Sequence, residues 1–267
     1  MFQTTLESNQ RQQQAQHLRR WLSPSDSSVN LEKALERRHQ DTCQWLLDDV
    51  EYHSWRRMPS SFFWLYGSSG CGKTVLASAV IQQIRSEGSL VACHYFDVNG
   101  GDTRDLGQML RSLLSQLSSQ HSEARQVLQA LYNECDMGAR QPTARQLSEQ
   151  FAKILDQVAE VTVVVDALDE SNSPGGIVSW LKDLFQRDRN SLHLLVTSQK
   201  QGSLDTAIDE WHRRDQLHAV RSNETNKDIA NYLHARLFGS EEFEKWNSHR
   251  DLREHVEKTI LQRANGM

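Results

Sequence analysis

The sequence contains the stretch Gly67-Ser68-Ser69-Gly70-Cys71-Gly72-Lys73-Thr74. Its spacing matches G-x-x-x-x-G-K-[ST], a loop in which glycine-rich backbone wraps around a phosphate group. The apolar residues 61–66 before the loop predict a buried strand, and residues 75–81 after it predict a helix. Because strand, glycine loop and helix follow one another in the order that the motif requires, the stretch predicts a phosphate-binding site.

The residue types of this loop suit a nucleoside triphosphate with its metal ion. Glycines allow backbone conformations that turn N–H groups inward, and the start of the helix adds its positive dipole end. We expect the Lys73 ammonium to contact the β- and γ-phosphates and the Thr74 hydroxyl to bind Mg²⁺. The expected nucleotide-binding residues of the loop are therefore Gly67, Ser68, Ser69, Gly70, Cys71, Gly72, Lys73 and Thr74.

A second candidate stretch begins where the β-branched run 161–165 ends. Such a run is typical of a strand buried on both faces of a parallel sheet. It leads into Asp166-Ala167-Leu168-Asp169-Glu170, and ligands of open α/β sheets bind beyond the carboxyl ends of strands. We therefore expect Asp166 to hold Mg²⁺ directly or through a water. Asp169 and Glu170 are the candidate catalytic residues, because a carboxylate further out can orient or deprotonate an attacking water.

The rest of the chain alternates predicted strands with predicted helices. Strands are expected over 61–66, 90–96, 161–165, 193–198 and, at one edge of the sheet, 216–220. Helices are expected over 106–117, 177–185 and 143–158, the last opened by a capping box of Thr143 and Gln146. This alternation predicts an α/β fold, a P-loop NTPase with a parallel sheet in three α/β/α layers.

The flanks of this unit differ from it in composition. Residues 1–28 are polar and rich in glutamine, and we expect a helical lead-in or linker there. Residues 29–221 are expected to form the nucleotide-binding domain. Residues 222–267, with helical patterns at 226–238 and 252–261, are expected to begin a small helical domain.

Composition narrows the range of partners and compartments. Of 267 residues 37% are hydrophobic and 24% charged, which is typical of a soluble globular protein. The net charge of −5 predicts no nucleic-acid partner, and no apolar run reaches the length of a membrane span. The cysteines are scattered without a pairing pattern, which predicts free thiols at Cys43, Cys71, Cys93 and Cys135. Free thiols are typical of a reducing compartment, so we expect the protein to be cytoplasmic.

Four stretches together resemble a NACHT domain, the nucleotide-binding module of STAND-class signalling ATPases, and in particular fungal NLR-like proteins. They are the loop with its strand (63–74), the acidic stretch (166–170), an upstream stretch (38–47) and the later strand (194–198). The resemblance extends from about Trp21 to the end of the chain. It implies the additional-strand sheet order, in which an extra strand lies between the strands that carry the two motifs.

The resemblance also implies a function. ATP or GTP with Mg²⁺ would act as a switch, inactive with the diphosphate and active with the triphosphate, in innate immunity or heterokaryon incompatibility. Activation would drive self-oligomerisation, with an N-terminal effector domain and C-terminal repeats that this chain lacks, so a truncated protein is expected. Thr42 and its neighbours would lie near the base.

The strand at 194–198 is expected to end in a γ-phosphate sensor. Thr197, Ser198, Gln199 or Lys200 could take that role, and the residues themselves do not decide among them. Members of the resembled class often carry arginine where this chain has Gln199, and a neutral amide cannot offset phosphate charge as a guanidinium does. We therefore expect any hydrolysis to be slow.

Three other functions are alternatives to a nucleotide-dependent signalling switch. A P-loop kinase would need an arginine-rich lid and an acceptor pocket, and would not need the acidic pair after Asp166. A GTPase is disfavoured because Asn226-Lys227-Asp228 has Ile229 where the base-reading aspartate belongs. A nucleotide-binding scaffold that does not hydrolyse remains compatible with an intact loop.

Overall fold

A computed structural model describes residues 13–39, 42–97, 104–187, 192–200, 202–209, 217–220, 222–239 and 249–264, with Phe243 and Trp246. The turn that the sequence predicts at 99–102 lies outside the described residues. None of the described helices is both long and apolar enough to cross a membrane.

A five-stranded sheet forms the centre of the described part. Its strands are β1 (Ser61–Tyr66), β2 (Val91–Tyr95), β3 (Val161–Asp166), β4 (Leu192–Ser198) and β5 (Leu217–Ala219). They lie in the order β2-β3-β4-β1-β5, and every neighbouring pair is parallel. Because β4 lies between the strands that precede the two motifs, the predicted additional-strand arrangement is confirmed.

The described helices precede, connect and follow the strands. Their bounds are α1 (13–22), α2 (Ser27–Arg37), α3 (Gln44–Leu47), α4 (Val50–Arg57), α5 (Lys73–Ser86), α6 (Leu106–Gln120), α7 (Ser122–Glu134), α8 (Ala144–Leu155), α9 (Pro174–Gln186), α10 (Gly202–Asp209), α11 (Ser222–Gly239) and α12 (Arg250–Ala264). The predicted capping box is present, with Thr143 Oγ1 accepting from Gln146 N–H and the Gln146 side chain accepting from Thr143 N–H. Helices α7 and α10 were not predicted from the sequence.

Alternating residues of the strands divide the core into two layers. Phe62 and Trp64 of β1 pack with α1 and with α6 to α10 on one face of the sheet. Phe63 and Leu65 pack with α2 to α5 on the other face. Helices therefore cover both faces, and the α/β/α arrangement that the sequence predicts is confirmed.

Helix α1 packs more closely than its polar sequence suggests. Leu18, Trp21 and Leu22 are buried in the first core layer, and the Trp21 indole donates to the Arg140 carbonyl at 3.0 Å. Three apolar side chains on one face are enough to fix this helix to the body of the fold.

The open edge of β2 is covered by amide side chains of α6. Gln116 accepts from the Cys93 N–H at 3.0 Å and donates to the Cys93 carbonyl at 2.7 Å. One helical turn later, Gln120 donates to the Val91 carbonyl at 2.8 Å. The two glutamines thus occupy the hydrogen-bonding positions of a neighbouring strand, which blocks pairing of this edge with another chain.

Candidate phosphate and metal site

The two sequence motifs meet at the carboxyl edge of the sheet. In the strand register Tyr66 of β1 is opposite Ser198 of β4, and Val165 of β3 is opposite Val196. This register places Asp166, the last residue of β3, beside Thr197 of β4. The loop at 67–72 leaves the same edge from β1 and leads directly into α5.

Glycine is required at particular points of the loop. Gly70 and Gly72 have φ angles of +78° and +89°, in the left-handed region that side chains disfavour. A Cβ on Gly67 would lie 2.6 Å from the Cys71 sulfur. The path of the backbone is therefore favoured by glycine at Gly67 and Gly72, which the motif specifies, and at Gly70, which it leaves variable.

Lys73 reaches back across the loop that precedes it. Its ammonium donates to the carbonyls of Gly67 at 2.9 Å and Ser68 at 2.8 Å. Lys73 is also the first residue of α5, whose first-turn N–H groups have no acceptor within the helix. The loop thus brings a cation and a helix N-terminus to one place, which fits a phosphate group.

The Asp166 carboxylate is the centre of the site. Thr74 Oγ1 donates to Asp166 Oδ2 at 2.8 Å, and Thr197 Oγ1 donates to Asp166 Oδ1 at 2.6 Å. Asp166 is only 3% exposed, whereas Thr74 is exposed. Each carboxylate oxygen therefore has a hydroxyl partner, and one of these hydroxyls belongs to an exposed residue.

Opposing effects act on the charge of Asp166. Burial raises the pKa of the carboxyl above its usual range. The hydrogen bonds from Thr197 and Thr74 and the Lys73 charge lower this pKa, whereas the nearby Glu170 charge raises it. A cation bound beside the carboxylate would favour the ionised form.

The residues present fit a Mg²⁺ ion. Adjacent ligands of an octahedral ion with bonds of 2.0–2.1 Å lie about 2.9 Å apart, close to the 2.8 Å between Thr74 Oγ1 and Asp166 Oδ2. Within the described part, no group of three or more His, Cys, Asp or Glu side chains could hold a metal by itself. Phosphate oxygens and water would have to complete the coordination, as is usual for Mg²⁺.

The residue after Asp166 has an unusual backbone conformation. Ala167 has a φ angle of 54°, and its N–H donates to Thr197 Oγ1 at 2.9 Å. Bulky or β-branched residues are strained in this left-handed region, which accounts for a small residue here. The turn redirects the chain into a short 3₁₀ helix, Leu168–Glu170, that carries the two further acids.

The acidic pair lies against two neighbouring segments. Asp169 Oδ1 accepts from the Gln199 backbone N–H at 3.0 Å. The Arg104 guanidinium donates to the Glu170 carbonyl at 2.8 Å, and the Arg104 carbonyl accepts from Asn172 N–H at 2.9 Å. Arg104 thus brings a guanidinium beside the acidic turn, and no sequence motif pointed to it.

The four sensor candidates at the end of β4 have different surroundings. Thr197 bonds Asp166, and the Ser198 hydroxyl accepts from the Trp64 indole at 2.8 Å. Gln199 is half-buried and bonds Asp169 through its backbone, whereas Lys200 is exposed with its ammonium 4.1 Å from the centre of the Tyr66 ring. Thr197 therefore orients the carboxylate, a role that the sequence reading did not assign to it.

A cleft of about 160 Å³ lies on the outer side of the loop. Thr42, expected near the base, is buried in its wall, and its hydroxyl donates to the His39 carbonyl at 2.8 Å. The other wall residues come from the loop, from α3 and α5, and from α11, and include Gly70, Cys71, Trp45, Val75, Ile229 and Tyr232. Aromatic and aliphatic walls beside a phosphate loop suit a flat heterocyclic ring.

Asp228 of α11 closes one side of this cleft. Its Oδ2 accepts from the Cys43 backbone N–H at 2.9 Å and from the Trp45 indole at 3.1 Å. Burial raises the pKa of the Asp228 carboxyl, while these two hydrogen bonds lower it. The contact joins α11 to the residues before the first strand, and local sequence gave no signal for it.

Comparison with known proteins gives one family. The family model described as Nephrocystin 3, N-terminal matches residues 41–199, which include the loop, the acidic stretch and the end of β4. No curated protein matches the chain.

Three solved structures illustrate more distant likeness. The Orc1 protein of Aeropyrum pernix, solved in complex with DNA, has a TM-score of 0.40 and 13% identity, and the match covers 75% of this chain and 55% of that one. PCH-2 of C. elegans has a TM-score of 0.31 and 13% identity, with 86% and 48% covered. Drosophila ORC bound to AT-rich DNA and Cdc6 has a TM-score of 0.37 and 11% identity, with 85% and 38% covered. The chain thus spans 38% to 55% of these solved chains, and no functional statement follows from the likeness.

The Thr197 contact can be tested through stability. Thr197→Val keeps the shape of the side chain but leaves Asp166 Oδ1 and Ala167 N–H without this partner. We expect the free energy of unfolding, measured by urea denaturation, to fall by about 1–3 kcal/mol. Thr206→Val on the exposed face of α10 is the control and should change little. Equal losses for both variants would contradict the role of Thr197.

Proposed function

The chain belongs to the Nephrocystin 3, N-terminal family, and we propose that it binds a nucleoside triphosphate with Mg²⁺ and hydrolyses it slowly. The observation that carries the proposal is the meeting of Thr74 and Thr197 on the Asp166 carboxylate, beside Lys73 and the glycine loop. A buried carboxylate, the hydroxyl of an exposed threonine and a cation next to a helix N-terminus are together suited to bind phosphate and metal.

Each residue of the site has a role in binding. Lys73, which now donates to two loop carbonyls, would turn its ammonium toward the β- and γ-phosphate oxygens. Thr74 and Asp166 would hold Mg²⁺, with Thr197 fixing the carboxylate in place. When bound, Mg²⁺ supplies positive charge that neutralises the phosphate oxygens. The cleft beside Thr42 would take the base, either adenine or guanine.

Hydrolysis would depend on the acidic pair. Asp169 is tied to the Gln199 backbone, so its carboxylate is suited to fixing the turn against β4. Glu170 lies near enough to Asp166 for its charge to act on that group, and is the better candidate to orient or deprotonate water. Gln199 carries no charge with which to stabilise the negative charge of the γ-phosphate, which favours slow hydrolysis.

A signalling role of the NACHT and STAND kind fits this arrangement. Asp228 ties α11 to the cleft expected to hold the base, so a nucleotide there would contact both proposed units, 29–221 and 222–267. We propose a nucleotide-dependent switch that acts together with an effector domain, repeats and self-oligomerisation, as in fungal NLR-like receptors. The free cysteines fit action in the cytoplasm.

Lys73→Ala tests nucleotide binding. Loss of several charge-assisted hydrogen bonds should weaken ATP and GTP affinity by about a hundredfold or more. The measurement is calorimetric titration of each nucleotide with Mg²⁺. Lys153→Ala, an exposed lysine of α8, is the matched control and should bind like the parent. If Lys73→Ala bound both nucleotides as well as the parent, the site would be wrongly assigned.

Glu170→Gln tests the hydrolytic role. The variant should keep nucleotide affinity while turnover, measured as phosphate release, falls by about 10²- to 10⁴-fold. Glu149→Gln on the exposed side of α8 is the control. Unchanged turnover in Glu170→Gln would move the role to Asp169 or remove it from the pair. A parent chain that binds nucleotide without any turnover would favour the non-hydrolysing scaffold.

A further inference from the structure

A second cavity, of about 650 Å³, lies far from the phosphate loop. Its walls are the turn between α1 and α2, the last turn of α5, and α6 and α7, with Cys93 of β2 at its floor. Arg85 lines it twelve residues after Lys73 on the same helix, which corresponds to about 18 Å along α5. The cavity is therefore distinct from the candidate nucleotide site.

The lining of this cavity is rich in hydroxyl groups. Ser112 is buried and already engaged, bonded to the Ser27 hydroxyl at 3.0 Å and to the Gln116 amide at 3.1 Å. Ser115 is 8% exposed, and its hydroxyl has no hydrogen-bond partner among the described residues. The buried Ser25 hydroxyl likewise has no partner within the described part. Buried polar groups are normally satisfied, so the buried Ser25 hydroxyl without a partner, on a cavity that Ser115 also lines with an unused hydroxyl, indicates a polar ligand.

The charge of the lining is positive. Arg19, Arg85 and Arg125 line the cavity with a single acid, Asp26. The acid is already bound, because its Oδ2 lies 3.2 Å from Arg19 and its Oδ1 accepts from Ser28 N–H at 3.0 Å. An incoming ligand therefore meets an excess of two positive charges.

The side chains of the three arginines differ in how many hydrogen bonds and ion pairs they already form. Arg125 donates to the Ser118 and Ser119 carbonyls at the end of α6, and Arg19 pairs with Asp26. The Arg85 guanidinium forms no hydrogen bond or ion pair with any residue that the structure describes, although it lies near Cys93. This guanidinium is thus the donor most free to bind an anion, and its planar fork suits phosphate oxygens.

We propose that this cavity is a second binding site, for a small molecule that carries phosphate groups. Arg85 binds the phosphate oxygens, Ser115 and Ser25 donate their unused hydroxyls to the same ligand, and Arg19 and Arg125 supply the surrounding charge. A volume of about 650 Å³ holds a ligand the size of a phosphorylated metabolite. The site does not depend on nucleotide binding at Lys73.

The test uses inorganic pyrophosphate as the probe. It is carried out on the whole chain carrying Lys73→Ala, so that the phosphate loop contributes little to pyrophosphate binding. Calorimetric titration should give one binding event. Adding Arg85→Gln, or separately Ser115→Ala, should weaken this binding at least about tenfold, because each removes a hydrogen bond to a charged ligand. Arg85 is exposed and Ser115→Ala removes one unpaired hydroxyl, so both variants should fold, as unfolding midpoints can verify.

The matched control is Arg145→Gln on α8, an arginine whose side chain is 89% exposed and lies outside the cavity lining. Pyrophosphate affinity unchanged by Arg145→Gln but lowered by the two cavity variants would support the site. Absence of binding to the Lys73→Ala chain, or equal affinity in all variants, would overturn it. Since the loop is disabled throughout, failure here leaves the nucleotide proposal untouched, and failure of that proposal leaves this test valid.

Discussion

The buried carboxylate of Asp166 is the constraint on which the rest of the site depends. A carboxylate at 3% exposure is costly unless both oxygens are satisfied, and here Thr74 and Thr197 satisfy one each. These three residues belong to β3, α5 and β4, so one charged group links the phosphate-loop helix to the centre of the sheet. The order of the strands makes this possible, because β4 lies between β1 and β3.

The backbone around this carboxylate is correspondingly constrained. Gly70 and Gly72 on one side and Ala167 on the other all have positive φ angles. Such conformations cost free energy in residues other than glycine and persist only where the surrounding contacts fix them. The Ala167 N–H bond to Thr197 is such a contact, and it uses the same hydroxyl that orients Asp166. The Ala167 backbone and one oxygen of the Asp166 carboxylate thus share the Thr197 hydroxyl.

Much of this arrangement could be predicted from sequence, because its signals are local. Continuous apolar runs predicted the central strands, the glycine motif predicted the loop, and Thr143 with Gln146 predicted a helix start that the structure has. Helix α7 also has a readable apolar spacing, at Ala124, Val127, Leu128 and Leu131, which the sequence reading overlooked.

Other features could not be predicted, because they depend on residues far apart in the chain. Asp228 bonds Cys43 across 185 positions, and Arg104 reaches the carbonyl of Glu170. The glutamines that cover the β2 edge and the arginines around the second cavity are polar residues of helices. From the neighbouring sequence alone, they would be predicted to be exposed to solvent without a specific contact. Only the packing of the helices shows which polar side chains share one space.

In the proposed nucleotide site, Thr74 and Asp166 form the metal-binding part. The most direct measurement is a crystal structure of the chain with Mn²⁺ and a non-hydrolysable ATP analogue, with the metal located by its anomalous signal. We expect a metal within about 2.5 Å of the Thr74 hydroxyl oxygen, bound to Asp166 directly or through one water, with Lys73 turned onto the phosphates. A metal and nucleotide bound elsewhere, with the Thr74–Asp166 hydrogen bond intact, would contradict this expectation.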